Sequence, residues 1–170
     1  YKSFRANVEE LVKADRKVNL FEYALQRMMF RHLDRSFLGR PSSSPRYHSI
    51  DAVFGDCAVL LSTLARLGHD EPADRDQAFL VGMRKLQDGF PGERVVAILP
   101  EERCTLVTVN KALDRLALTV PEVKRRALNA LAACIAFDGV VTPAEGELLR
   151  AVADSLDCPM PPLPATARVV

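Results

Sequence analysis

The chain has 170 residues, of which 48 % are hydrophobic and 26 % charged, a composition typical of one soluble globular domain with a sizeable core. Its 23 lysines and arginines nearly balance 22 aspartates and glutamates, which gives no argument for a nucleic-acid partner. No run of about 18 apolar residues is present, so we expect no direct insertion into a membrane. The first residue is Tyr1 rather than Met, which indicates a piece of a longer protein.

Apolar residues at helical spacing predict helices along most of the chain. A first short helix is indicated by four apolar residues on one face: Phe4, Val8, Leu11 and Val12. A second helix is predicted over residues 21–33, and the Gly-, Pro- and Ser-rich stretch 39–48 predicts a loop. A third helix is expected to follow the cap residue Ser49 and to end at Gly68.

The helical pattern continues in the second half of the chain. A fourth helix around Phe79 is expected to end at Gly89. The stretch VVAIL (95–99) is predicted to be either an extended segment or a short helix. We expect no sheet there, because no second strand is available to pair with it. A fifth helix is predicted over residues 106–116.

Thr119 and Glu122 have the spacing of a capping box, in which a Thr and a Glu side chain cap the first turn of a helix. They predict the start of a sixth helix, which is Ala-rich, reaches Phe137 and is expected to be the most buried one. A seventh helix then precedes a Pro-rich tail. The sequence therefore predicts an all-α, single-domain bundle of about seven helices over residues 1–157, followed by a tail over residues 158–170.

The four cysteines are spread along the chain without a CxxC pair, and the three histidines are also dispersed. A zinc site needs clustered ligands, so this spacing predicts no zinc site within the fragment. Cys57 and Cys134 fall within apolar helical runs, where a thiol behaves as a small hydrophobic side chain. Free thiols of this kind indicate a reducing compartment.

The stretch FDGVVTPAEGELL (137–149) predicts a tight corner between the last two helices. Gly139 is suited to the left-handed conformation that ends a helix. Thr142 is a good N-cap, Pro143 fits the first helical position, and Glu145 completes a capping box with Thr142. Each of these residues is therefore expected to have a structural role.

A looser copy of this corner, ADRKVNLFEYAL, lies near the other end of the chain. In this copy Asn19 takes the cap position and Glu22 the capping-box position. The spacing from Asp15 to Glu22 equals the spacing from Asp138 to Glu145. Two helix–corner–helix units with the same acid spacing predict an internal pseudo-repeat.

The corner has two alternative interpretations, a calcium loop and a capped helix start. Aligned with an EF-hand loop, the first and third ligand positions fall on Cys134 and Ala136, which offer no side-chain oxygen. We therefore favour capping and expect no metal in the fragment. A divalent metal held by acids of both corners stays open as the alternative, with four candidate ligands: Asp15, Glu22, Asp138 and Glu145.

Motifs that would indicate catalysis are absent from the sequence. It contains no GxSxG nucleophile motif, no GxGxxG or Walker A phosphate-binding motif and no zinc-binding HExxH. The carboxylates lie at predicted helix ends and in loops, where solvation explains them. We therefore predict no catalytic residue and no cofactor in this fragment.

Two resemblances to known families rest on these stretches. The two corners resemble the helix corners of TerB-like (tellurite-resistance type) helical domains. Residues 98–163 resemble the C-terminal region of bacterial membrane-associated zinc metallopeptidases of the HtpX-like type, through LPEERC, LDRLAL and PEVKRRALNALAACIAFDGVVTPAEGELLRAVADSLDCPMPPL. Upstream, LVKADRKVNLFEYALQRMMFRHL is similar to the start of the same region, so the resemblance spans most of the chain.

The second resemblance implies a non-catalytic C-terminal accessory domain of a zinc-dependent metalloprotease that acts in protein quality control. The parent protein would carry the zinc, the HExxH motif and an anchor in the bacterial inner membrane, with this domain on the cytoplasmic face. The implied partners are the parent protease domain or its protein substrates, and a homo-oligomer is also considered. The alternative is a free-standing TerB-like binding module.

Overall fold

Most of the described helices lie where the apolar periodicity of the sequence predicts them. A computed structural model of the chain describes residues 1, 3, 7, 20–38, 44–90, 94–160 and 167–168. The described residues form six α-helices: α1 (Leu20–Leu38), α2 (Phe54–Gly68), α3 (Pro72–Leu86), α4 (Leu106–Ala117), α5 (Pro121–Ile135) and α6 (Pro143–Ser155). The all-α class is therefore confirmed. The predicted first short helix and the turn of the looser corner lie outside the described residues.

Two 3₁₀ turns and one pair of short strands join these helices. Ile50–Val53 leads into α2, and Glu101–Arg103 precedes α4. β1 (Val140–Val141) pairs in antiparallel fashion with β2 (Ala167–Arg168), so the end of the tail lies beside the corner before α6. The sequence does not indicate this pair, because two residues are too few to show an alternation.

Local chemistry explains where the helices begin. Prolines stand at the first helical position of three helices, where a missing N–H removes no hydrogen bond: Pro72 in α3, Pro121 in α5 and Pro143 in α6. The Thr105 side chain caps α4 by accepting a 3.3 Å hydrogen bond from the Thr108 N–H. Ser49 was predicted to cap the next helix but precedes the 3₁₀ turn and makes no side-chain cap bond.

The predicted capping box at Thr119 is wrong. The N-cap of α5 is Val120, and Thr119 is buried with its hydroxyl donating to the last turn of α4 at 2.7 Å. Glu122 instead pairs with Arg125 at 2.6 Å on the exposed face of α5. Pro121 explains the difference, because its place at the first helical position moves the cap one residue beyond Thr119.

The apolar faces of the helices meet in one core. The Ala-rich helix α5 packs against α2, α3, α4 and α6, which agrees with the central place that its composition predicts. Its most extensive contact is with α3. The largest fully buried hydrophobic side chains come from α2 to α5 and from the residue that directly follows α6: Leu61, Phe79, Leu86, Leu113, Leu116, Leu131 and Leu156.

Helix α1 packs mainly against α6. Phe30 is a buried apolar side chain of α1. Arg27 donates to Asp114 of α4 at 2.6 Å, and a ring nitrogen of His32 lies 3.0 Å from a carboxylate oxygen of Asp154 in α6. Both apolar packing and polar side-chain pairs therefore connect α1 to the rest of the bundle.

Candidate functional site

The corner between α5 and α6 is the candidate site that the sequence predicts. α5 ends at Ile135, and Gly139 has a φ of 79°, the left-handed conformation that a residue without a Cβ adopts freely. A carboxylate oxygen of Asp138 accepts a 2.9 Å hydrogen bond from the Val140 N–H. This bond closes a turn within the corner, so the Asp138 side chain serves the local backbone.

The start of α6 carries the predicted capping box. Thr142 Oγ1 accepts a 3.2 Å hydrogen bond from the Glu145 N–H, and Glu145 Oε2 accepts a 2.8 Å bond from the Thr142 N–H. The Thr142 hydroxyl also donates to the same Glu145 oxygen at 2.7 Å. Thr142 and Glu145 thus satisfy N–H groups that the first turn of α6 leaves unpaired.

Glu145 also connects the corner to the end of α2. Its Oε1 lies so close to Gly68, the last residue of α2, that a Cβ at that position would overlap it. The next residue, His69, meets the Phe137 ring edge-on with 4.6 Å between ring centroids. These two contacts pack the corner against the terminus of α2.

Replacement of Thr142 by alanine is expected to lower the free energy of unfolding by about 1 kcal/mol, because the Glu145 N–H loses its side-chain acceptor. Urea denaturation measures this change. Thr142→Ser keeps the hydroxyl and is the matched control, expected to retain most of the stability. A serine variant as unstable as the alanine variant would contradict the capping role.

The residues proposed as metal ligands are only partly described. Asp15 and the cap residue Asn19 lie outside the described residues, and Glu22 is exposed in the first turn of α1. Asp138 and Glu145 bond to the turn and to the cap. Within residues 20–38, 44–90 and 94–160, no group of three or more His, Cys, Asp or Glu side chains is placed to hold a metal ion.

Cys57 and Cys134 are buried, as their place in apolar helical runs predicts. Burial raises the pKa of both thiols to about 12, with smaller contributions from the Asp56 charge at Cys57 and the Glu145 charge at Cys134. The Cys134 thiol also lies 3.8 Å from the Leu61 carbonyl oxygen. Both side chains therefore stay protonated at neutral pH and act as core residues.

We expect iodoacetamide at mildly alkaline pH to alkylate the half-buried Cys104 and Cys158 of the native protein and to leave Cys57 and Cys134 unmodified. The reason is that only the thiolate reacts, and burial raises the pKa of the latter two thiols. Peptide mass spectrometry after quenching identifies the modified sites. The same reaction in urea is the control and should modify all four. Native-state alkylation of Cys134 at the rate of Cys104 would refute this assignment.

A second surface feature is not indicated by any sequence motif. Phe54 and Phe90 line a small surface cavity of about 40 Å³ together with Arg94. The Arg94 guanidinium lies 4.8 Å from the Phe54 ring centroid and pairs with Asp51, and Arg126 lies 4.7 Å from the Phe90 ring centroid. The cavity therefore offers a small apolar contact with a charged rim.

The described part of the chain thus contains helix caps, a packed core and a small surface cavity. None of its helices combines the length and the apolar character needed to cross a bilayer. No protein-family model, curated protein or solved structure matches this chain at a significant level.

Proposed function

We propose that the chain is a non-catalytic C-terminal accessory domain of a membrane-associated zinc metallopeptidase of the HtpX-like type that acts in protein quality control. The observation that carries this proposal is the resemblance over residues 98–163. That stretch includes α4, α5, the corner and α6, and the three helices pack against one another. The described helices within this stretch therefore form one connected structural unit.

The described acidic residues of the corner have structural roles, as an accessory domain without chemistry of its own would allow. Asp138 accepts a hydrogen bond from a backbone N–H of the turn and Glu145 from the N–H of the cap residue, so the corner explains both carboxylates without a metal. The function that we propose is contact with protein, either the protease domain of the parent or its protein substrates. In this proposal zinc is bound by the HExxH motif of the parent's catalytic domain.

The coding sequence upstream of Tyr1 provides the first test. We expect it to encode an HExxH motif and membrane-spanning segments, because the family that the chain resembles carries both. A reading frame without either feature would reject the proposal.

A second test uses the full-length protein. Deletion of this domain should retain zinc-dependent cleavage of an unfolded soluble substrate such as casein and slow the degradation of a misfolded membrane protein several-fold, because recruitment alone is lost. The zinc content of the purified variant controls for an intact catalytic domain. Equal loss of cleavage for the two substrates at normal zinc content would contradict substrate recruitment and favour contact with the protease domain.

A free-standing TerB-like module that holds a divalent metal is the second candidate function. One observation favours it, since α1 and α6, whose first turns carry the candidate ligands Glu22 and Glu145, pack against each other. Calorimetric titration with calcium, magnesium, manganese and zinc tests this candidate. Binding heat that is lost in Asp138→Asn would favour it, and no heat with any of the four ions would reject it.

A further inference from the structure

The C-terminal tail turns away from α6 at the end of the helix and comes back to its start. Asp157 has a φ of 59°, the left-handed conformation that is uncommon for a residue with a Cβ, and the Cys158 N–H donates to the Ala153 carbonyl at 2.9 Å. A helix end of this kind turns the chain out of the helix axis. The strand β2 (Ala167–Arg168) then lies beside β1, which directly precedes α6. The tail therefore leaves one end of α6 and reaches the other.

The length of the tail is sufficient for this return. α6 has 13 residues, which makes it about 20 Å long. From Cys158 to Ala167 an extended chain can span about 28 Å, at about 3.1 Å per residue, so the pairing requires no shift of α6. Prolines in the tail restrict its backbone and so reduce the entropy that is lost when its end is held. The tail contains four of them: Pro159, Pro161, Pro162 and Pro164.

The register of β1 and β2 matches the burial of the corner. Val141 is 9 % exposed and pairs with Ala167, whereas Val140 is 54 % exposed and pairs with Arg168. Residues that face each other across an antiparallel pair lie on the same side of it. The small apolar residue of the tail thus shares the covered side with Val141, and the basic residue shares the solvent side with Val140. A shift by one residue would reverse this match, so the sequence of the tail favours the observed register.

We propose that the tail is a releasable latch, whose strand β2 occupies the edge of β1 until an extended segment of a protein partner takes its place. Two paired residues give little stability by themselves, so the pairing depends on the covalent link to α6 and opens more easily than the helical core. Without β2, the edge of β1 presents main-chain groups to another extended chain, a common mode of peptide binding. The latch rests on the protein contact proposed above and makes that contact conditional on release of the tail.

Engineered cysteine pairs in a Cys104→Ser, Cys158→Ser background test the closed latch. Val140→Cys with Arg168→Cys places two thiols opposite each other on one side of the pair and should form an intramolecular disulfide under mild oxidation. Val140→Cys with Ala167→Cys is the matched control, because its thiols lie on opposite sides and should stay reduced. Mass spectrometry of the monomer counts the free thiols. Equal oxidation of the two pairs, or of neither, would overturn the pairing.

The open latch is tested with the tail sequence as a peptide. Ala167→Pro together with Arg168→Pro keeps the 170-residue chain but removes the N–H groups that β2 can donate, so the latch should stay open. The peptide LPATARVV (163–170) should then shift the NMR signal of the Val141 amide. The chain locked by the engineered disulfide should respond several-fold less at the same peptide concentration. LPATRAVV, in which the two paired residues are exchanged, is the control peptide and should shift the signal less.

The latch is overturned if the peptide leaves the Val141 signal of the open chain unmoved, or if it shifts the open and the locked chain equally. Both experiments use only the 170-residue chain, so their outcome does not depend on an HExxH motif upstream of Tyr1. A latch that fails while that motif is present would remove the role of the tail and leave the proposed accessory function standing.

Discussion

Replacement of Gly82 by alanine is expected to lower the free energy of unfolding by about 2 kcal/mol. A Cβ at this position of α3 would lie 2.5 Å from Leu61 Cδ2 of α2, and 3.0 Å from Cys134 Cβ and 3.1 Å from the Ala130 carbonyl oxygen of α5. Leu61 and Cys134 are fully buried, so neither can move aside without shifting a helix. This clash exceeds the gain of about 1 kcal/mol that alanine has over glycine in helix propensity.

Gly55 provides the matched control for this prediction. It lies in the first turn of α2, and an added Cβ would meet no atom within 4 Å. Gly55→Ala is therefore expected to raise the free energy of unfolding by up to about 1 kcal/mol, in the opposite direction to Gly82→Ala. Urea unfolding of both variants gives the comparison. A Gly82→Ala variant as stable as the unsubstituted chain would refute the close approach of α3 to α2 and α5.

Helix positions could be predicted because the apolar periodicity that indicates them is local. Phe79, Met83 and Leu86 share one predicted face of α3 and are buried together. Leu67 continues the predicted face of α2 but is 55 % exposed, because it stands in the last turn, where the core ends. Gly82 shows the limit of this reasoning, since a glycine inside a helical pattern indicates only a weak position until the neighbouring helices are known.

In the candidate site, too, contacts between residues close in sequence could be predicted and contacts between distant residues could not. The capping box of Thr142 and Glu145 could be predicted, because its hydrogen bonds join residues three positions apart. The contact of Glu145 with Gly68 and the pairing of β1 with β2 join distant parts of the chain and leave no local signal. Thr119 has the local pattern of a capping box, yet the proline that follows Val120 moves the helix start and changes its role.

The second large effect is expected at Arg115, which joins α4 to the segment that enters α2. Its guanidinium donates to Asp56 Oδ2 at 2.8 Å, to the Tyr47 hydroxyl at 3.1 Å and to the Ala52 carbonyl at 2.7 Å. It also lies 4.7 Å from the Tyr47 ring centroid. The hydrogen bond to Asp56 is the main cause that raises the pKa of Arg115 above its ordinary value, so the group stays charged at every relevant pH.

Arg115→Lys is expected to lower the free energy of unfolding by about 2 kcal/mol, although the charge is retained. A lysine ammonium is compact and cannot reach the Asp56 carboxylate, the Tyr47 hydroxyl and the Ala52 carbonyl from one position. The Arg115 side chain is 44 % exposed, so water can replace some of the lost hydrogen bonds, which limits the loss of stability to about 2 kcal/mol. Urea unfolding of this variant and of the unsubstituted chain measures the change in the free energy of unfolding.

Arg125 is the matched control, because it is an exposed arginine that pairs with Glu122 within one turn of α5. Arg125→Lys should change the free energy of unfolding by less than about 0.5 kcal/mol, as is typical of surface pairs. If Arg115→Lys were equally mild, charge attraction to Asp56 would be enough to hold α4 against α2. If it were as damaging as Arg115→Met, which removes both the charge and the donors, the contact between α4 and α2 would depend on the planar set of N–H donors that only arginine supplies. We expect the loss of stability in Arg115→Lys to lie between the losses in these two cases and closer to that of Arg115→Met. The reason is that two of the three acceptors are neutral oxygens, which a displaced ammonium would leave without a donor.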